Sequence, residues 1–138
     1  MNCRTVSALL LILLGCSAGA CGGASQKAQG DLKDAVIMLN EGVRWGRLQE
    51  VIPRVHSDNV AHFMEMHKEF GTEIQLSDYE LINSVYNADN KTAAVTVRIT
   101  WYRQSEMEVH ATVLLQSWQL HGADWLLMTE TYQSGEAF

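Results

Sequence analysis

The chain reads as an α+β protein, helices first and a curved antiparallel sheet after them, because its apolar period changes once. Up to Gly71 the apolar residues recur at helical spacing; beyond it they alternate one by one, as in strands with one face buried. Polar runs at 87–91 (Asn-Ala-Asp-Asn-Lys) and 121–124 (His-Gly-Ala-Asp) separate alternating stretches and have turn chemistry. Helices grouped ahead of the strands, not interleaved with them, argue against a parallel sheet.

Asp31 is placed to open the ordered part as an N-cap, with Asp34 adding negative charge near the positive helix end. Leu32, Ala35, Val36, Leu39 and Val43 follow at i, i+3, i+4, i+7 and i+11, a single apolar stripe. Gly42 or Gly46 ends or kinks this helix. A short helical segment over 45–52 carries Leu48, Val51 and Ile52, and Pro53 closes it by removing an N–H. Ser57 or Asp58 caps a third helix with Val60, Phe63, Met64, His67 and Phe70 on one side, stopped by Gly71.

The first strand alternates Tyr79, Leu81, Asn83 and Val85 with Glu80, Ile82, Ser84 and Tyr86. The clearest strand sets Ala93, Val95, Val97, Ile99 and Trp101 against Ala94, Thr96, Arg98, Thr100 and Tyr102. Val95, Val97 and Ile99 are expected to bury against Leu32, Val36 and Leu39, with Thr96 outward. A loop near 104–107 leads to a long strand over 108–120, and the 121–124 turn leads to a last strand over 125–130. Three strands joined by short polar turns are expected to pair antiparallel as a meander.

The N-terminal 21 residues differ from everything after them. Arg4 and the start amine precede an apolar run from Val6 to Leu14. About nine apolar residues span roughly 13 Å as a helix, far short of a hydrocarbon core of ~30 Å. This is the anatomy of an export signal rather than of a membrane span. Signal removal leaves no cysteine after Cys21, so the domain has no internal disulfide and no Cys-based metal site; a hydrophobic core must hold it. The net charge of the whole chain is −6, and losing Arg4 makes the remainder one unit more acidic. With no basic cluster, nucleic acid is not expected as a partner. Residues 22–30, small and polar, read as a tether. The organisation expected is a signal over 1–15 (or 1–20), a flexible tether over 16–30 and one domain over 31–134.

Two resemblances follow. Leu13-Leu14-Gly15-Cys16 resembles a bacterial lipobox, with a branched apolar residue at −3 and Gly at −1; Ala18-Gly19-Ala20-Cys21 is a second, weaker match. The lipobox implies cleavage before Cys16, with Cys21 as the alternative, and diacylglycerol on its thiol. It places the protein in the bacterial cell envelope, anchored by lipid. No Asp follows either cysteine, which by the same resemblance favours the outer membrane over the inner. The run Leu39-Asn40-Glu41-Gly42 with Trp45 and Gly46, and the turn Gly122-Ala123-Asp124-Trp125-Leu126, resemble nuclear-transport-factor-2-like domains over residues 31–132. That resemblance implies helices packed inside a bent, cone-shaped sheet. The fold hosts isomerases, dehydratases and cyclases as well as non-catalytic ligand-binding and dimerising modules, so it does not decide function.

Catalysis in such a fold would need an inward carboxylate or histidine with its pKa displaced by an apolar wall. His110 shares a face with Thr112, Leu114, Gln116 and Trp118, and Glu130 is expected to share one with Leu126, Met128 and Tyr132. His110, Gln116 and Glu130 are therefore the candidate catalytic residues, with Tyr79, Tyr86 or Tyr102 as proton donor. The plainer expectation is that Gln116 and Glu130 are polar residues on a partly wet face. His62 and His67 lie five apart, about 140° around a helix, so they do not form a metal pair and read as solvated or half-buried. No metal or other cofactor is expected. Trp45, Trp101, Trp118 and Trp125 serve as core fillers or cavity walls. Trp101, Trp118 and Tyr102 are the candidates for a pocket or interface. Leu114, Trp118, Leu120, Leu126 and Met128 make one strand face apolar enough to call for a partner if the helices cover the other. The leading expectation is a lipid-anchored, non-catalytic domain that binds a small apolar ligand or a protein partner. An isomerase-, dehydratase- or cyclase-like enzyme and a self-associating envelope subunit are the alternatives.

Overall fold

The computed structural model describes residues 22–89, 91–106 and 108–138. The signal, the lipobox with Cys16 and Cys21, and tether residues 16–21 lie outside them, as do Asn90 and Met107 within the predicted turn and loop. Helix α1 spans Gly22–Arg44, followed by α2 (Leu48–Val51), 3-10 turns at Ile52–Arg54 and Ser57–Asn59, and α3 (Val60–His67). Four strands complete the chain: β1 (Ile74–Asn87), β2 (Thr92–Arg103), β3 (Val109–His121) and β4 (Asp124–Gly135). They form one antiparallel sheet in the order β1-β2-β3-β4. The fold is α+β. Among the described residues no helix is long and apolar enough to cross a membrane.

Helix α1 starts nine residues before Asp31, so residues 22–30 are its first turns and not a flexible stretch. Ala, Gln and Lys are good helix formers once one face is docked. The Ala28 carbonyl accepts from Trp125 Nε1 at 3.0 Å, and Lys27 pairs with Asp31 one turn on. Asp31 is thus interior to the helix. At the other end Gly46, at φ 64°, lies against Gly71, at φ 82°, so closely that a Cβ on Gly46 would stand 2.8 Å from the Gly71 Cα. The exit of α1 and the turn after α3 touch backbone to backbone there.

The expected stripe is the buried one: Leu32, Ala35, Val36, Leu39 and Val43 are at most 3 % exposed. They share a core with Val95, Val97 and Ile99 of β2 and with Leu114 and Trp118 of β3, while Thr96 is half-buried on the other side. Among the described residues, all fully buried apolar side chains fall between Leu32 and Leu127, and the sheet runs from Ile74 to Gly135.

Pairing of β2 with β3 is regular, but β1–β2 and β3–β4 each slip twice. One slip lies at Ile82: Leu81 faces Val97 and Asn83 faces Thr96. Beyond it Ser84 and Tyr86 turn toward the helices, and Asn83 and Val85 point away, so the alternation predicted for this strand holds only as far as Leu81. A second slip lies at Met128: Trp118 faces Leu127 and Ser117 faces Thr129. Because an inserted residue exchanges the two faces of all that follows, Glu130 joins Trp125 and Leu127 on the buried face. It does not share a face with Leu126 and Met128, as the simple alternation predicts.

Candidate functional site

Glu130 is 2 % exposed, Gln116 fully buried and His67 1 % exposed, in the interior between α3 and the sheet. The last turn of α3 supplies His67 on the same helix side as Phe63. Gln116 and Glu130 are direct partners across β3 and β4, so their side chains rise together from one face. Gln116 Nε2 donates to Glu130 Oε2 at 2.6 Å, and Trp118 Nε1 reaches Gln116 Oε1 at 3.3 Å. His67 Nδ1 lies 2.9 Å from the Phe63 carbonyl, and His67 Nε2 lies 3.0 Å from Glu130 Oε1. A carbonyl only accepts, so Nδ1 carries a hydrogen. His67 Nε2, the other ring nitrogen, is the atom turned toward Glu130 Oε1. The contact is not a well-aligned hydrogen bond, and Oε1 has no other donor.

The aromatic side chains close over this network. The His67 ring lies 4.4 Å from Phe63, 5.5 Å from Phe70 and 5.7 Å from Phe138, centre to centre. Phe138 also meets Phe70, Trp101 and Tyr132 edge-on. Burial pushes the Tyr132 phenol above its ordinary pKa, keeping it a donor to the Phe138 carbonyl at 3.3 Å. Thr112 Oγ1 donates to the Glu136 carbonyl, and the Glu136 N–H donates to Ala111. The segment 136–138 thus lies as a strap across the interior end.

His110 stands apart from this group. Six residues along β3 from Gln116, roughly 20 Å at strand rise, its ring stacks on Trp101 at 4.5 Å and its Nδ1 lies 2.6 Å from Glu136 Oε2. The three catalytic candidates therefore divide: Gln116 and Glu130 meet, but on a dry interior face and not a partly wet one, and His110 serves the strap. Trp101 and Trp118 are both buried, at opposite ends of the β2–β3 pair, where they face His110 and Ala93. They do not form a joint pocket. Tyr102 is half-buried on the outer face opposite Val109. Leu114 and Trp118 lie under the helices, and Leu126 and Met128 are half-buried on the far side, so the predicted continuous apolar face does not exist. Trp45, expected in the core or a cavity wall, is 61 % exposed and held to Glu41 by its indole N–H at 2.9 Å. His67, expected to be solvated or half-buried, is a member of the central group; its place in the Phe63–Phe70 stripe was the signal. His62 is exposed. Among the described residues no three His, Cys, Asp or Glu side chains converge as a metal site.

Four surface clefts have volumes of about 290–380 Å³, and none is lined by His67, Gln116 or Glu130 among the described residues. One of about 380 Å³ opens between α1 and the β1–β2 pair, lined by Leu32, Val36, Leu81, Tyr86 and Val95 with Lys33 among the polar residues. The class defined so far is an α+β domain with a closed acid–histidine interior and a separate apolar cleft. Comparison with protein-family models, with curated proteins and with solved structures finds no match.

Proposed function

We propose that this chain is a lipid-anchored protein of the bacterial envelope whose domain binds a small apolar ligand without transforming it. The observation that carries this reading is the separation of acid–base groups from open space. Glu130 has both oxygens facing partners inside the core, while the apolar cleft between α1 and β1–β2 is lined by no carboxylate or histidine. A general base must reach the proton it removes, and Glu130 is 2 % exposed, bonded through Oε2 to Gln116 and absent from the lining of the four surface clefts. The buried pair is also what would favour the alternative, an isomerase-, dehydratase- or cyclase-like enzyme, if a path to it opened. A protein partner, a second copy included, is the other occupant this reading allows.

The order of three helices followed by four antiparallel strands is consistent with the nuclear-transport-factor-2-like arrangement, which we propose for the domain. Anchoring follows from the Leu13-Leu14-Gly15-Cys16 motif, with Cys21 as the alternative, and the absence of Asp after either cysteine favours the outer membrane. Because α1 begins at Gly22, five residues separate Cys16 from the helix, a reach of at most about 20 Å. The domain would thus stand close to the lipid surface.

Mass spectrometry of the membrane-extracted protein tests both parts. The expected result is a chain starting at a diacylated Cys16 that carries a small apolar molecule under native conditions. A start at Cys21 corrects the cleavage site; an unlipidated chain removes the anchor; turnover abolished by Glu130→Gln in a folded protein replaces binding with catalysis.

A further inference from the structure

The cleft between α1 and β1–β2 owes its space to the slip at Ile82. Past that slip the small Ser84 faces the helix, opposite Val95, where uninterrupted alternation would put Asn83 or Val85. The floor is Leu32, Val36 and Val95, each at most 3 % exposed, and Leu81 and Tyr86 form the β1 wall. Lining residues run from Gln29 to Val36 along α1, about 10 Å at helical rise, and from Leu81 to Tyr86 along β1, about 17 Å at strand rise. This is a trough, longer than a compact ring needs. Its volume of about 380 Å³ falls within the roughly 300–1,000 Å³ of small-molecule sites.

Its charge is one-sided. Lys33 lies among the lining residues, no carboxylate does, and Lys33 makes no ion pair among the described residues. In a chain of net charge −6, an unneutralised ammonium beside apolar walls is complementary to an anion attached to a hydrocarbon. A long flexible lysine can keep its stem on the apolar wall and its head at the water. Building on the ligand-binding reading above, we infer that this cleft holds a single-chain anionic amphiphile, a medium- or long-chain carboxylate, with the hydrocarbon between α1 and β1 and the head at Lys33.

Methyl-detected NMR on the full chain with decanoate, decanol and decylammonium tests this. Decanoate is expected to shift the methyls of Leu32, Leu81 and Val95. Lys33→Met is expected to weaken decanoate about threefold to tenfold, less so at high salt, and to leave decanol unchanged. Ser84→Leu, which fills the trough on an exposed strand, should abolish binding of both while the unfolding midpoint stays in place. Shifts centred elsewhere, decylammonium binding as tightly as decanoate, or a Lys33→Met effect equal for decanoate and decanol overturns the assignment. Decanol bound in the trough without any preference for Lys33 removes the anionic head and leaves apolar-ligand binding intact. No binding by any of the three, together with no molecule on the membrane-extracted protein, removes both.

Discussion

The central strand pair and the two edge strands of this sheet do different work. β2 and β3 keep one register from Thr92 opposite Gln119 to Tyr102 opposite Val109, and their inner residues form the floor of the core. β1 and β4 each carry two slips, and these place the features that matter for function. The slip at Ile82 opens the trough beside α1. The slip at Met128 turns Glu130 onto His67 and Gln116. A regular pair gives a platform; an irregular edge re-aims individual side chains without disturbing it.

The largest effect expected from breaking the edge is at Glu130. Glu130→Leu leaves His67 Nε2 and the Gln116 amide buried without their partner and should cost about 3–5 kcal/mol in urea unfolding. The central pair responds through packing alone. Ile99→Ala should cost about 2–5 kcal/mol, whereas Thr96→Ala, on the same strand but turned away, should stay below about 1 kcal/mol. Equal losses at these two positions would mean that β2 does not present the face described.

A smaller change is expected at the strap that follows β4. Phe138→Ala removes three edge-on ring contacts from a half-buried residue and should lower stability by about 1–2 kcal/mol. Smallest of all is the outer-face ion pair between Arg98 and Glu80, 2.8 Å long but with both side chains about half exposed or more. Arg98→Ala should change stability by less than about 1 kcal/mol, since packing and not surface charge holds β1 to β2.

The same division explains which features were readable from residues. In β2 the apolar and polar positions differ at each step, so the inward set Val95, Val97 and Ile99 and the stripe Leu32 to Val43 follow from period alone. The run Leu126-Leu127-Met128-Thr129-Glu130 is apolar on both faces at its start, and period 2 cannot locate an inserted residue there. Simple alternation therefore puts Glu130 on the wrong face, and makes Glu130 and Gln116 partly wet where the structure buries both. At β1 the neighbours Asn83, Ser84 and Val85 carry no sign of the slip at Ile82, so the trough is not legible from residues alone. Gly22, Gly23 and Gly30 made residues 22–30 resemble a linker, while the docking of Ala28 over Trp125 is a contact 97 residues away. His67 was legible as part of an apolar stripe, but its partner on β4 depends on the slip. Histidine and glutamate could not be joined without it.

The His67–Glu130 contact made by that slip joins α3 to the sheet edge, and a double-mutant cycle measures it most directly. His67→Leu, Glu130→Leu and the double variant are unfolded in urea at one pH, and the coupling is taken from the departure from additivity. Each single change strands a buried polar partner and the double change removes both, so a coupling of about 2–3 kcal/mol is predicted, with the double variant more stable than the sum of the singles implies. Additive losses, within about 0.5 kcal/mol, would place Glu130 away from His67 and contradict the slip at Met128.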